Sequence, residues 1–160
     1  MRETAEILLL ILVANGAPIL LSFIFSHRMA LPVDLGFKLG DQQALFGKTK
    51  TWRGLIASLV FTILASVIIG LGIWTGFIIS VLAMTGDLLS SFIKRRLKKP
   101  PSSQVFLLDQ VPESLFPVFG VVSLYSLQLM QVIVIVVSFI IMEVVLSLIL
   151  YRIGVRKRPY

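Results

Sequence analysis

Cysteine is absent from the 160-residue chain, and histidine occurs only once. The absence of cysteine excludes a disulfide framework, a thiolate metal site and a cysteine nucleophile. Charged residues are scarce at 14%, whereas hydrophobic residues reach 57% and the mean hydropathy is +0.96. A soluble domain would be near half apolar and about a quarter charged, so this composition indicates a protein solvated by lipid. The sequence predicts a single all-α transmembrane domain over residues 1–160.

Hydropathy predicts five membrane-spanning helices, because about 20 apolar residues are needed to cross the hydrocarbon core. The last two come from dividing one long apolar stretch near Ser126 to Gln131, and Gly70 with Gly72 marks the turn between the second and third. Two polar loops remain, at about residues 26–54 and 94–112. The predicted spans cover approximately residues 5–25, 55–71, 74–92, 107–126 and 131–153.

The 15 basic residues are distributed unevenly about these spans. Five lie in the first polar loop, five in Lys94–Lys99 and four in residues 152–158, whereas Arg2 alone is near the opposite end. Cytoplasmic loops carry the excess of Lys and Arg, so we expect the N-terminus outside and the C-terminus and both polar loops in the cytoplasm. Because the cations adjoin apolar spans, the net charge of +7 predicts anionic headgroups and phosphate ligands as partners, not nucleic acid.

The segment Gly86–Arg96 (GDLLSSFIKRR) closes the third span with an acid, two hydroxyls and three cations. Helical spacing puts Asp87, Ser90, Ser91 and Lys94 on one face. Asp87 lies two turns, about 10 Å, inside the basic boundary, where an acid needs a cation beside it. A structural helix end is the alternative, with Asp87 paired to Lys94 and the cations extending to headgroups. The pattern favours a divalent metal beside a phosphate at the membrane boundary.

Asp109 is the candidate for a second metal ligand. It follows the second polar loop, so the chain returns it to the same membrane side as Asp87. Two carboxylates from neighbouring helices are typical of oxygen-rich sites that hold Mg²⁺ together with substrate phosphates. Glu113, four residues further on, has the spacing to face the same way. The alternative for both is an ordinary acid favoured by the helix dipole.

Cations and hydroxyls also lead into the second span, in the segment Lys48-Thr49-Lys50-Thr51-Trp52-Arg53-Gly54. At a helix start flanked by glycine, such residues can bind a polyphosphate through backbone N–H groups and the helix dipole. A P-loop is excluded, because its first glycine would fall at Gln42 and no strand precedes it. The alternative makes Trp52 an interfacial residue with ordinary basic neighbours.

Two polar residues within the predicted spans, Asn15 and Glu143, allow an alternative function for the protein. Asn15 interrupts the first span, either as an interhelical hydrogen-bonding residue or as part of the site. Glu143 in the last span is assigned to helix pairing. With Asp87, these residues allow a small ion transporter or channel as the alternative function. A channel needs polar residues through its whole depth, whereas here they concentrate on one side.

Three motifs together resemble the CDP-archaeol synthase family, which is similar to the phosphatidate cytidylyltransferases. They are KTWRG at Lys50–Gly54, GDLLSSFIKRR at Gly86–Arg96 and LLDQ at Leu107–Gln110. Their order and the five-span size agree with that family over essentially the whole chain. The resemblance implies transfer of a cytidylyl group from CTP to 2,3-bis-(O-geranylgeranyl)-sn-glycerol 1-phosphate with Mg²⁺, releasing pyrophosphate. It implies no oligomeric state.

The resemblance also implies roles for individual residues. Asp87 and Asp109 would be metal ligands, and Lys94 and Arg95 would contact phosphate. The remaining implied substrate-binding residues are Lys48, Lys50, Thr51, Trp52, Arg53, Asn15, Asp34, Ser90 and Ser91. The chain lacks the His-Gly-Gly run and the Asp-Arg-x-x-Asp ending of the phosphatidate enzymes, with Asp109-Gln110-Val111-Pro112 in place of the latter. The ether-lipid family is therefore the better match.

Overall fold

The protein folds as five α-helices in a computed structural model that describes residues 2–25, 30–101, 103 and 105–154. The prediction of an all-α fold is confirmed: across these described ranges the only β-type pairings are two isolated bridges within the first polar loop. Four of the basic residues on which the predicted orientation depends, Arg28 and residues 156–158, lie outside the described residues. The helices are α1 (Arg2–Phe25), α2 (Trp52–Ile68), α3 (Gly72–Arg96), α4 (Gln110–Val121) and α5 (Leu129–Arg152).

The chain runs between the two ends of this bundle five times. Lys94, near the end of α3, contacts Asp109 at the start of α4, and we call this the basic end. At the other end, the Thr75 and Tyr125 hydroxyls lie 2.7 Å apart, and Gln131 of α5 donates a hydrogen bond to Thr4 of α1. From residue 75 to residue 94, α3 rises roughly 28 Å, close to the thickness of a bilayer's hydrocarbon core.

Helices α2 and α3 differ from their predicted bounds, and a local cap explains the start of α2. Thr51 is the N-cap of α2, and its Oγ1 accepts a hydrogen bond from the Gly54 backbone N–H at 3.2 Å. The helix therefore begins three residues before the predicted residue 55, and it ends at Ile68 ahead of Gly70, which has a φ of 87°. Helix α3 continues past the predicted residue 92 to Arg96, so its three terminal cations belong to the helix.

The helix within the predicted fourth span, residues 107–126, is shorter than that span, and whether the segment crosses a membrane stays a prediction. Helix α4 has only 12 residues, a length of about 18 Å. The backbone of Leu107 has a φ of 66° and that of Ser126 a φ of 47°, so neither position can belong to a right-handed helix. Over the described residues, α1, α3 and α5 are long and apolar enough to cross a membrane, and α2 is a shorter apolar helix of 17 residues.

Helix α3 is central, and glycines let its neighbours approach closely. A Cβ atom on Gly76 would lie 2.7 Å from the Ile63 Cα in α2, and one on Gly86 would lie 2.3 Å from the Pro112 carbonyl oxygen in α4. Small residues permit this backbone-to-backbone packing in lipid. The contact at Gly86 brings Asp87 of α3 next to Glu113 of α4. The fully buried core below it includes Ile7, Leu10, Ile11, Ile79, Val118, Val121, Ile135 and Phe139.

Candidate active site

Lys50 and Asp87 form the first ion pair at the basic end. Lys50 ends the first polar loop, and the Thr51 cap that starts α2 fixes its position. Its Nζ donates a hydrogen bond to Asp87 Oδ1 of α3, and both side chains are largely buried. Burial alone would lower the pKa of Lys50, but the negative charges of Asp87 and Glu113 outweigh burial and hold the pKa above its ordinary value. Lys50 is therefore a firmly charged ammonium group among carboxylates.

Lys94 and Asp109 form the second ion pair. The Lys94 Nζ lies 2.7 Å from Asp109 Oδ1, and it also donates a hydrogen bond to the Ser103 carbonyl at 2.9 Å. The Asp109 Oδ2 accepts a hydrogen bond from the Val105 N–H at 3.0 Å. Both side chains are buried, at 9% and 8% exposure. The alternative in which Asp87 pairs with Lys94 is therefore wrong: each acid has a different lysine.

Glu113 joins Asp87 as a third carboxyl group at this end. The two carboxyl groups lie within electrostatic range of each other, and Lys50 lies within the range of both acids and of Asp109. Our sequence-based set of site residues leaves Glu113 out. Two signals in the sequence point to it: the four-residue spacing from Asp109, and the glycine beside Asp87 that admits α4.

Arg95 approaches the first polar loop from α3. Its Nη2 donates a hydrogen bond to the Pro100 carbonyl at 2.9 Å, and a Cβ atom on Gly47 would lie 3.2 Å from its Nη1. Gly47 also has a φ of 95°, a conformation that favours glycine. The loop is thus seated against the basic end of α3.

Asp34 organises the interior of the same loop. Its Oδ2 accepts hydrogen bonds from the Phe46 and Gly47 N–H groups, both at 2.9 Å, and its Oδ1 accepts one from Gly36 at 3.1 Å. Burial would raise the pKa of Asp34, but these backbone hydrogen bonds outweigh it and lower the pKa below its ordinary value. The contacts give Asp34 a structural task, and its predicted role in substrate binding stays a prediction.

Several other predicted residues make contacts within their own elements. The Asn15 amide donates a hydrogen bond to the Ile11 carbonyl at 3.0 Å, and the Ser90 hydroxyl donates one to the Asp87 carbonyl at 2.9 Å. Ser91, next to Ser90 on α3, is also buried. Their roles in substrate binding stay predictions.

The residues that flank Lys50 face outward to different degrees. Trp52 is 47% exposed, Arg53 is half-buried, and Lys48 is exposed. Lys48 lines an open cleft of about 410 Å³ together with Leu31, Pro32 and Leu35. The structure therefore separates a buried cluster of charged pairs from an accessible basic rim that could receive a phosphorylated ligand.

The donor set at the basic end suits a hard divalent cation in part. Carboxylate oxygens are the preferred ligands of Mg²⁺, and Asp87 and Asp109 both lie at this end, each paired with a lysine. Among the described residues, however, no three acidic, histidine or cysteine side chains are grouped to hold a metal ion by themselves. Mg²⁺ commonly binds one or two carboxylates and takes its other ligands from water and substrate phosphates, and this arrangement suits that mode.

Comparison with known proteins covers nearly the whole chain. A family model described as "CarS-like: CDP-archaeol synthase" matches residues 6–160. A CDP-archaeol synthase of Sulfolobus acidocaldarius is 34% identical over 156 residues, which is 93% of this chain and 91% of that protein. One of Pyrococcus furiosus is 35% identical over 107 residues, 61% of this chain and 60% of that protein.

A solved structure has the same fold. It was described as giving structural insight into an intramembrane enzyme for archaeal membrane lipids biosynthesis. The TM-score is 0.77 at 25% identity, with 92% of this chain and 94% of that chain covered. The motifs, the charged basic end and the match over residues 6–160 agree with one another, and the chain belongs to the CDP-archaeol synthase family.

Proposed function

We propose that this chain transfers the cytidylyl group of CTP to 2,3-bis-O-geranylgeranyl-sn-glycerol 1-phosphate at the basic end of the bundle, giving CDP-archaeol and pyrophosphate. Membership of the family makes the chain a CTP-dependent cytidylyltransferase of archaeal lipid biosynthesis. The observation that carries the location of the site is the pair of buried ion pairs, Lys50 with Asp87 and Lys94 with Asp109. Buried charges reduce stability even when they are paired, so two buried ion pairs at one end of an apolar bundle favour a functional site there.

The reaction is a displacement at phosphorus. An oxygen of the lipid phosphate forms a bond to the α-phosphorus of CTP, and the bond from that phosphorus to the bridging oxygen breaks. Pyrophosphate leaves with the electron pair of the broken bond. Such transfers depend mainly on positioning and on stabilisation of the charge on the phosphoryl oxygens. No side-chain nucleophile is needed, because a phosphomonoester with a second pKa near 6 is already a dianion for the most part at neutral pH.

The buried and the exposed basic side chains have different roles in binding the triphosphate. Lys50, Lys94 and Arg95 surround the acids and are placed to stabilise the triphosphate, while Lys48 and Arg53 at the rim are placed to attract it. Trp52, exposed at the start of α2, is placed to contact the nucleoside or the lipid headgroup. The hydrogen bond by which Thr51 caps α2 fixes the backbone between Lys50 and Trp52 and so sets the positions of both residues.

Mg²⁺ is the cofactor that we propose for this site. Asp87 and Asp109 would hold it, and Glu113 is placed to orient Asp87. When bound, the ion would neutralise negative charge on the triphosphate and on the departing pyrophosphate. Each of the two acids is paired with a lysine. If the ion became the partner of the acids and the phosphates became the partners of the lysines, every buried charge would still have a partner of opposite sign.

We also propose five membrane crossings, with the basic end in the cytoplasm. Helices α1, α3 and α5 have the length to span a bilayer. Helix α4 is short, but the chain from Asp109 to Tyr125 reaches from one end of α3 to the other. The non-helical segments at both ends of α4 are tolerated at membrane depth, because this part of the chain packs against α3 and is buried in protein on that side. The excess of cations at one end then sets the orientation.

The test is product formation by the purified protein in lipid vesicles. Pyrophosphate should appear from CTP only when both Mg²⁺ and the isoprenoid ether-lipid phosphate are present, and the lipid product should carry CMP. Omission of the lipid phosphate is the control for simple CTP hydrolysis. Pyrophosphate release that ignores the lipid, or no release under any condition, would contradict the proposal.

The transporter alternative is not supported by the comparisons. The polar groups that suggested a pathway are also poorly placed for one, since Asn15 bonds within α1 and Asp87 is paired with Lys50. Ion flux into sealed vesicles without CTP is the measurement that would revive it.

A further inference from the structure

Arg96, the last residue of α3, reaches out to the first polar loop rather than into the cluster of acids. Its Nη1 donates a hydrogen bond to Asp41 Oδ1 at 2.7 Å. Its Nη2 donates to two backbone carbonyls of the same loop, that of Ala44 at 2.6 Å and that of Gln43 at 3.3 Å. The guanidinium carbon also lies 5.2 Å from the centre of the Phe92 ring. One side chain thus joins α3 to three groups that are more than fifty residues away along the chain.

This set of contacts is more than a surface ion pair. An exposed pair such as Arg96 with Asp41 alone is worth little, because water and salt screen it. Two carbonyl acceptors and an aromatic face add to it, and the planar guanidinium can satisfy all of them at once. A lysine has neither the forked donors nor the stacking surface. The contacts therefore have the geometry of a tether for the loop.

The tethered loop is the one that carries the nucleotide-side cations. Asp34 closes the loop on itself by binding the N–H groups of Phe46 and Gly47, just beyond the tethered carbonyls. The Lys50 N–H in turn donates a hydrogen bond to the Gly47 carbonyl at 3.2 Å, and Lys50 then reaches Asp87. A fixed Ala44 backbone therefore limits where Lys48 and Lys50 can lie.

We propose that Arg96 is a positioning residue that seats the first polar loop on the end of α3 and so sets the affinity for CTP. This inference rests on the proposed function, since it assigns that loop to the nucleotide. Arg96 itself does not touch the reacting phosphates. Its loss should weaken binding of the nucleotide in the ground state and the transition state alike, because Lys48 and Lys50 bind both.

The kinetic test compares four variants. Arg96→Ala should raise the KM for CTP roughly tenfold while kcat falls no more than about twofold. Arg96→Lys should restore part of the loss, because an ammonium group can still pair with Asp41. Asp41→Asn should raise the KM only about two- to threefold, since the two carbonyl contacts remain. Lys99→Ala is the matched control: it removes one exposed cation from the same end of α3 and should leave the KM unchanged.

A second measurement reports on the loop without any turnover. The chain has no cysteine, so Gly40→Cys provides a single attachment point for a nitroxide, and a Cβ atom there would meet no atom within 4 Å. The label should become more mobile when Arg96→Ala is added, and it should stay unchanged with Lys99→Ala. If the parent protein does not use CTP, the proposed function fails, while the label still tests the tether.

Two results would overturn the inference. One is a label whose mobility is the same with and without Arg96. The other is an equal rise in KM for Arg96→Ala and Lys99→Ala, because that would make the effect one of general charge at the membrane surface.

Discussion

At the scale of single residues, Asp87 is the side chain on which the proposed chemistry depends most. Its carboxylate is paired with Lys50 and lies within the electrostatic range of Glu113. Substitution by a neutral amide keeps its size and removes its charge, so the packing of α3 should survive while coordination of a cation does not.

We therefore expect Asp87→Asn to reduce turnover by a factor of about 100 or more, the scale seen when one group that helps to stabilise transition-state charge is removed. The comparison is Glu3→Gln, which neutralises an exposed acid at the opposite end of the bundle and should leave the rate unchanged. The measurement is CDP-lipid formation, with thermal unfolding as the check on folding. A near-normal rate for Asp87→Asn would remove Asp87 from the site.

The sequence predicts which residues carry charge at the site better than it predicts their partners. Asp87, Ser90, Ser91 and Lys94 lie near one another in sequence, so helical spacing alone places them together. Lys50 is 37 residues from Asp87, and no periodicity links a loop to a helix at that distance. The contact that excludes an Asp87–Lys94 pair depends on how the loop folds, which is a tertiary property.

At the scale of helices, the approach of α3 to α4 depends on Gly86. A Cβ atom there would lie 2.3 Å from the Pro112 carbonyl oxygen and 2.8 Å from the Glu113 nitrogen, and backbone atoms cannot yield as a flexible side chain can. Gly86→Ala should force the two helices apart, with an expected loss of about 1–3 kcal/mol in stability and a reduced rate of cytidylyl transfer.

Gly16→Ala is the matched control for this prediction, because it adds a methyl group to α1 where no atom lies within 4 Å. It should be neutral or slightly stabilising, by up to about 1 kcal/mol, since alanine favours a helix. Thermal unfolding in detergent measures both variants. If Gly86→Ala unfolds at the same temperature as Gly16→Ala, the close approach is not a requirement of the fold.

The first polar loop should respond to acid through Asp34. Its pKa is lower in the folded loop than in an unfolded chain, so its carboxylate stabilises the loop at all pH values above the ordinary pKa of about 3.9. That stabilisation is lost as the pH falls through the lower, folded pKa. A nitroxide at position 40 should be more mobile in Asp34→Asn than in the parent at neutral pH, and the two mobilities should begin to converge as the pH falls below about 4. Equal mobility at neutral pH would contradict the role of Asp34.

Helix bounds illustrate what hydropathy can and cannot predict. The long apolar helices α1, α3 and α5 agree with their predicted spans to within a few residues, because length and composition define them. The bounds of α2 depend on the Thr51 cap, and those of α4 on left-handed backbone at Leu107 and Ser126. Threonine is a common N-cap, but a hydropathy window does not register capping residues. Leucine and serine rarely adopt a left-handed backbone, so the sequence gives no signal for the turns that flank α4.

At the scale of the whole molecule, the number of crossings rests on the short helix α4. If the chain from Asp109 to Tyr125 crosses the bilayer, the turn after α4 must lie on the side opposite the basic end, as the contact between Thr75 and Tyr125 indicates. If it does not cross, that turn stays with the basic end. The alternatives differ in which side of the membrane exposes residue 123.

Single cysteines in this cysteine-free chain distinguish them. A membrane-impermeant maleimide should label Glu3→Cys and Ser123→Cys in intact cells and Gly40→Cys only in inverted vesicles, since all three positions are exposed at the surface of the bundle. If positions 123 and 40 are labelled from the same side, the segment that contains α4 does not cross the membrane. Labelling of position 40 from outside would instead mean that the protein has the opposite orientation. That orientation would contradict the excess of cations at the basic end, and the CTP site would then face away from the cytoplasm, where cells keep CTP.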